Sequence, residues 1–178
     1  ERIAAAGGEI VRLTAQGRRE AENLGAIRAE LDRRGCRVPL VADIHFLPSA
    51  ALVAAEHVEK IRINPGNFND KGGQFDELLA ICKRRGAALR IGVNHGSLAP
   101  AVMERYGDTP EGMVASAREF LRRCRAAAFD RVVLSVKSSN VRVMVQAYRM
   151  LAAAMRAEEM RYPLHLGVTE AGNDREGR

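Results

Sequence analysis

The sequence has no tryptophan, only 4% aromatic residues and three cysteines among its 178 residues. So few aromatics leave little for unpaired bases to stack on, which counts against a single-strand nucleic-acid binder. Cys36, Cys82 and Cys124 stand far apart, with no C-x-x-C pair and no paired histidine spacing. That scatter argues against a disulfide framework and against a metal site built from these three alone. Each falls in or beside a helical pattern, as a small buried hydrophobe would. No apolar run approaches the roughly 20 residues of a transmembrane helix. The chain opens on Glu1 in a polar, helical-looking segment rather than a signal peptide. The missing initiator Met and the abrupt ending AGNDREGR point to a piece of something longer. There is no internal repeat, no low-complexity stretch and no Gly/Ser/Pro-rich linker, so residues 1–178 read as one domain.

Lysine is scarce as well. It occurs only at 60, 71, 83 and 137, which leaves 24 of the 28 basic residues as arginine against 22 acidic ones, a formal charge of +6. Many arginines come in pairs near expected helix ends, such as Arg33-Arg34, Arg84-Arg85 and Arg122-Arg123. Cations there favour the negative end of the helix dipole and are usually solvated, so the bulk charge carries little weight toward a polyanion groove.

What the chain does have is 47% hydrophobic residues arranged in a strand–helix alternation. Short runs rich in Val, Ile and Leu recur at 9–14, 38–44, 60–64, 88–94, 131–137 and 163–169. Helical patterns lie between them at about 17–34, 48–57, 73–85, 110–128 and 140–158. Pro48 and Pro110 suit first-turn positions, Thr109 a cap, and Gly35 and Gly86 helix exits. Continuous apolar strands alternating with helices predict a parallel sheet covered by helices. Two architectures fit: an open doubly wound sheet or a (β/α)8 barrel. No G-x-G-x-x-G follows the first strand, as a dinucleotide-binding open sheet would have. Charged and amide residues recur late in nearly every strand, and a barrel gathers such strand ends into one ring. The expected fold is therefore a TIM barrel, incomplete. A whole one needs about 250 residues, and about six of its eight strand–helix units are present.

The chemical signal is cationic. Arg12, Arg62 and Arg90 lie inside apolar strands, and Lys137 follows LSV. An interior guanidinium is costly unless paired or bound to an anion. Asp43 and Glu170 are the carboxylates at the same level, so cations exceed anions. The excess predicts a small ligand with several negative charges, such as a phosphate ester or diphosphate. Alternation pairs Arg62 with Asn64, Arg90 with Gly92 and Asn94, and Asp43 with His45 on one side of their strands. Gly92 would leave room for the ligand, and His45 would hydrogen-bond it. His57 and His165 read as packing or surface residues, and His95, in NHGS (94–97), stays ambiguous. The turns NPGN (64–67) and NHGS could offer backbone N–H groups to phosphate. A pteridine-binding barrel and a basic nucleic-acid-binding module are the competing functions. The first would not need four converging cations.

The segments VADIHF (41–46), KIRINPGNF (60–68), RIGVNHGSL (90–98), SVKSSN (135–140) and LHLGVTEAG (164–172) together resemble the 4-hydroxy-3-methylbut-2-enyl diphosphate synthase family, across essentially the whole chain. The stretches RYGDTPEGMVASA (105–117) and VMVQAYRML (143–151) resemble its plant-like, three-domain branch. The resemblance implies an iron–sulfur oxidoreductase of non-mevalonate isoprenoid biosynthesis whose barrel binds 2-C-methyl-D-erythritol 2,4-cyclodiphosphate. It implies that Arg12, Arg62, Arg90 and Lys137 hold the diphosphate and that Asp43, His45, Asn64 and Asn94 orient the ligand. Glu170 would stand at the reacting carbon–oxygen bond as a proton donor or electrostatic partner. A [4Fe-4S] cluster belongs to a separate C-terminal domain with its own cysteine ligands. Cys36, Cys82 and Cys124 do not match those positions, so no metal ligand is expected here. The family's first and last barrel strands have no counterpart in the sequence. The resemblance further implies ferredoxin or flavodoxin as electron donor, a bacterial cytoplasmic location, a homodimer at full length, and no nucleic-acid or membrane partner. The fragment alone would be inactive.

Overall fold

The computed structural model describes residues 1–170. Five parallel strands run in sequential order: β1 (Val11–Ala15), β2 (Leu40–Ile44), β3 (Lys60–Ile63), β4 (Ala88–Asn94) and β5 (Val132–Lys137). Helices connect them: α2 (Arg18–Arg33), α3 (Pro48–Ala55), α4 (Gln74–Arg85), then α5 (Pro100–Tyr106) and α6 (Pro110–Ala126) between β4 and β5. A single turn, α1 (Arg2–Ala5), precedes β1, and α7 (Val141–Ala157) follows β5. Sequential parallel order with every helix crossing back over one side is the wall of a barrel, not a doubly wound sheet.

Local chemistry sets the helix ends. Proline opens α3, α5 and α6, where its missing N–H costs nothing. The Thr109 hydroxyl accepts from the Gly112 N–H at 3.2 Å, and Asn140 Oδ1 accepts from the Arg142 N–H at 3.0 Å, capping α6 and α7. Gly86 ends α4 with φ +70°, a left-handed turn that favours glycine.

The core lies between sheet and helices. Ile44, Ile61, Ile63, Leu89, Ile91 and Leu134 are fully covered from the sheet side, by Leu78, Leu79, Met113 and Leu121 among others from the helices. Phe75 and Phe120 meet edge-to-face with centroids 4.7 Å apart, and the Arg123 guanidinium lies 4.7 Å over Phe75 while pairing with Asp70 and Asp76. Cys82 and Cys124 are wholly buried in this layer, as expected of small hydrophobes, whereas Cys36 is only half-buried.

Three expectations are corrected. The first strand begins two residues later than the apolar run. The short helices α1 and α5 were not anticipated, because four and seven residues are too few to display a helical period. The sixth strand, expected over 163–169, forms only one bridge, Leu164 to Leu134. It does follow β5: His165 N–H donates to Leu134 O at 2.7 Å and Thr169 N–H to Ser138 O at 3.2 Å. Between those points Tyr148 of α7 intervenes, donating its hydroxyl to His165 O at 2.6 Å while its oxygen faces the Val136 N–H. A side chain thus takes the place of a rung.

Candidate functional site: a cationic concave face

Strand alternation divides the sheet sharply. The register Asp43↔Arg62↔Arg90 places these three side chains in one row, on the face away from the helices. Two residues further along lie Asn64 and the pair Gly92↔Ser135, and beyond them Asn94↔Lys137. Arg12 shares this face on β1, as does Lys60 on β3. Every position on the opposite face of β2 to β5 is aliphatic. The interior of the barrel wall is therefore polar where its exterior is greasy.

Arg62 and Arg90 are buried, at 7% and 6% exposure, yet they are held differently. Arg62 Nη1 donates to Asp43 Oδ1 at 2.9 Å, and its Nη2 reaches Gly92 O at 3.4 Å. Asn94 joins them: with its amide turned to satisfy both atoms, Oδ1 accepts from Arg62 Nη2 at 3.1 Å and the nitrogen donates to Val93 O at 3.3 Å. Arg90 has no carboxylate partner among the described residues. Its Nε and Nη2 both donate to Ser135 Oγ, at 3.3 and 3.1 Å. Arg12 is more exposed and stands 3.5 Å from Asp43 Oδ2, and His45 Nε2 is 3.6 Å from Asp43 Oδ1. One carboxylate thus faces Arg12, Arg62, Arg90, Lys60 and Lys137.

The imbalance registers in the titration of the face. Burial, reinforced by Arg62 and Arg12, lowers the Arg90 pKa. Burial followed by Arg90, Arg12 and Arg62 does the same to Lys137. His165, although exposed, is pushed down from its usual 6.5 by partial desolvation and then by Arg90, Lys137, Lys60 and Arg12. All three groups are biased toward losing charge, which is the electrostatic condition that an anion relieves.

Not every expected residue lands as the sequence implied. Gly92 leaves no vacant room: a Cβ there would sit 2.8 Å from Arg62 Nε, so the glycine makes space for the guanidinium itself. Asn64 spends its amide on loops, donating to Ser97 Oγ at 2.9 Å and accepting from the Gly66 N–H at 3.1 Å. The two glycine turns pack so closely that a Cβ on Gly66 would collide with Ser97 O. Their N–H groups are already engaged: Gly96 N–H donates to both oxygens of Asp108, at 3.1 and 2.9 Å, and His95 Nε2 lies 3.2 Å from Asp108 O. These turns therefore brace the barrel rim rather than offering free donors to phosphate. His57 packs against Gly25 of α2, as a structural histidine does. Glu170 lies in an exposed turn with φ +56°. The last two residues of its motif, Ala171 and Gly172, lie outside the described residues.

Three members of the face escaped the sequence reading: Lys60, Ser135 and His165. The signal was available. Lys60 and Ser135 share the parity of Arg62 and Lys137, and His165 follows Leu164, which packs on the core and so turns His165 the other way.

Cys82 and Cys124 do not suit an iron–sulfur cluster. Burial pushes the Cys82 and Cys124 thiols up to about 12, whereas such ligands bind as thiolates. No group of three or more His, Cys, Asp or Glu side chains that could hold a metal occurs among the described residues. No described helix is long and apolar enough to cross a membrane.

Comparison with known proteins adds identity to this geometry. The 4-hydroxy-3-methylbut-2-en-1-yl diphosphate synthase (flavodoxin) of Parabacteroides distasonis is 55% identical over 99% of this chain and 32% of its own length. The protein of that name from Bacteroides thetaiotaomicron is 52% identical over 100% of the chain and 32% of its length. That from Leptospira interrogans is 51% identical over 97% and 29% respectively. The chain thus spans about a third of the length of these curated relatives. A family model described as the GcpE TIM-barrel domain matches residues 1–178, and the chain belongs to that family.

Proposed function

We propose that this chain is the substrate-binding barrel of a 4-hydroxy-3-methylbut-2-en-1-yl diphosphate synthase, an oxidoreductase of non-mevalonate isoprenoid synthesis. Its ligand is the cyclic diphosphate 2-C-methyl-D-erythritol 2,4-cyclodiphosphate. The observation that carries the reading is the row Asp43–Arg62–Arg90 on a face where five cations share one carboxylate. Arg90, Lys137 and Arg12 are the hands for the diphosphate, since none is fully neutralised, and guanidinium forks match phosphoryl oxygens. Arg62, clamped by Asp43 and Asn94, presents a fixed edge to the ligand, and His45 reaches it from the end of β2. Asn64 acts indirectly, by holding the NPGN turn against NHGS. Glu170 serves as the proton donor or electrostatic partner at the reacting carbon–oxygen bond.

A [4Fe-4S] cluster held outside this domain would supply the two electrons for reductive ring opening, in a dimeric parent enzyme of the bacterial cytoplasm. Flavodoxin as donor follows from the names of the relatives. The family match favours this reading over a pteridine-binding barrel, and the pairing of outer arginines with carboxylates disfavours a nucleic-acid surface. Calorimetric titration of the full-length protein with the cyclodiphosphate tests the proposal. Binding that weakens in Arg90→Ala supports it. No binding, or equal binding in wild type and variant, overturns it.

A further inference from the structure

We propose that His165 is the proton-coupled member of this anion site, taking up a proton as a polyanion settles on the cations of the concave face. The inference rests on the anion-binding reading above and goes beyond it by naming where charge is adjusted.

The geometry begins with the backbone. His165 is pinned from both sides, its N–H donating to Leu134 O at 2.7 Å and its carbonyl accepting the Tyr148 hydroxyl at 2.6 Å. Leu164 beside it packs into the core, and the bridge Leu134↔Leu164 sets His165 level with Ser135, the residue that holds Arg90. Two residues on, Gly167 lies against Lys137, where a Cβ would sit 3.0 Å from Cε. The imidazole therefore stands on the concave side at the edge of the cation row, tethered by its main chain rather than by a side-chain partner.

Cations reach it from four strands, Arg12 on β1, Lys60 on β3, Arg90 on β4 and Lys137 on β5, while Tyr148 of α7 holds its carbonyl. The carboxylate of the face, Asp43, is already drawn on by Arg62 and Arg12. Desolvation first, and then these cations, bias His165 toward its neutral form in the free protein. A polyanion on the same cations offsets most of their field and so favours the imidazolium. The imidazolium then adds a donor to the ligand, and the site gains a charge that the free protein does not have to bear.

The sign of the linkage is definite. The free His165 pKa lies below its ordinary value and the liganded one is higher, so proton uptake is greatest between the two. Affinity for the anion rises as pH falls through the liganded pKa and levels off below the free one. Each unit of separation is worth about tenfold in affinity across that window.

Trimetaphosphate is a suitable probe because its charges are permanent and it releases no proton of its own. Calorimetry of the full-length protein near pH 6.5, in buffers of different ionisation enthalpy, reads binding and proton uptake together. We expect binding with uptake of a fraction of a proton, abolished in His165→Gln. In the wild type, the assigned His165 ring resonance should titrate at higher pH with trimetaphosphate than without. Absence of binding overturns both the anion-site reading and this inference. Binding without uptake, an unmoved His165 titration, or uptake that persists in His165→Gln and disappears in His45→Gln overturns this inference alone.

Discussion

The outer arginines and the inner ones obey different rules. On the helix layer many arginines have a carboxylate of their own: Arg33 and Arg34 share Glu30, Arg84 and Arg85 share Glu56, Arg118 and Arg122 share Glu158, and Arg123 holds both Asp70 and Asp76. The Glu30 pKa drops to about 2 under its two arginines. On the concave face a single Asp43 stands among five cations. Arginine count is uninformative, since both regions are rich in it. The local charge balance separates an arginine that fastens helices from one that waits for a ligand.

Substitutions can break this contrast, and the largest effect should come from Asp43. Asp43→Ala leaves the buried Arg62 with no carboxylate, and breaking a buried pair costs about 3–5 kcal/mol. Denaturant unfolding should show that loss, with part of it recovered when inorganic diphosphate is added. Next, Arg90→Ala should leave stability nearly intact, because no carboxylate is orphaned. It should weaken cyclodiphosphate binding by roughly 1.5–3 kcal/mol, read by calorimetry. If affinity is unchanged, Arg90 does not meet the ligand. Smaller still is Gly92→Ala, whose new methyl would sit 2.8 Å from Arg62 Nε and shift that guanidinium rather than backbone. It should fold normally yet lose about 1 kcal/mol of binding, the worth of one misplaced hydrogen bond. Smallest is Arg33→Ala on α2, a fully exposed pair, for which unchanged ligand affinity and an unfolding midpoint close to wild type are expected. A loss of ligand affinity there would erase the distinction between the two regions.

Much of the fold was legible because parallel strands buried on both sides read as continuous apolar runs. Five of six such runs became strands, and the interrupting Arg62 and Arg90 marked the concave side. The sixth run failed for a reason outside its own sequence: the Tyr148 hydroxyl, seventeen positions away from His165, occupies a rung. The site residues Arg12, Asp43, Arg62, Arg90 and Lys137 were recognisable as polar interruptions of apolar strands. Gly92 and the two glycine turns were misread because a glycine signals close approach without saying what approaches. Arg62, Ser97 and Asp108, the answers, come from other strands and loops.

By itself, then, the sequence determined the alternation of strands and helices, the cationic excess and the family, because each depends on residue types at short spacing. Only the tertiary structure decided how that charge is shared: that Arg62 is spoken for by Asp43 and Asn94, that Arg90 leans on a serine, and that His165 looks onto the same cations. Those outcomes depend on register between strands some twenty to forty-five residues apart in the chain, which no local pattern carries.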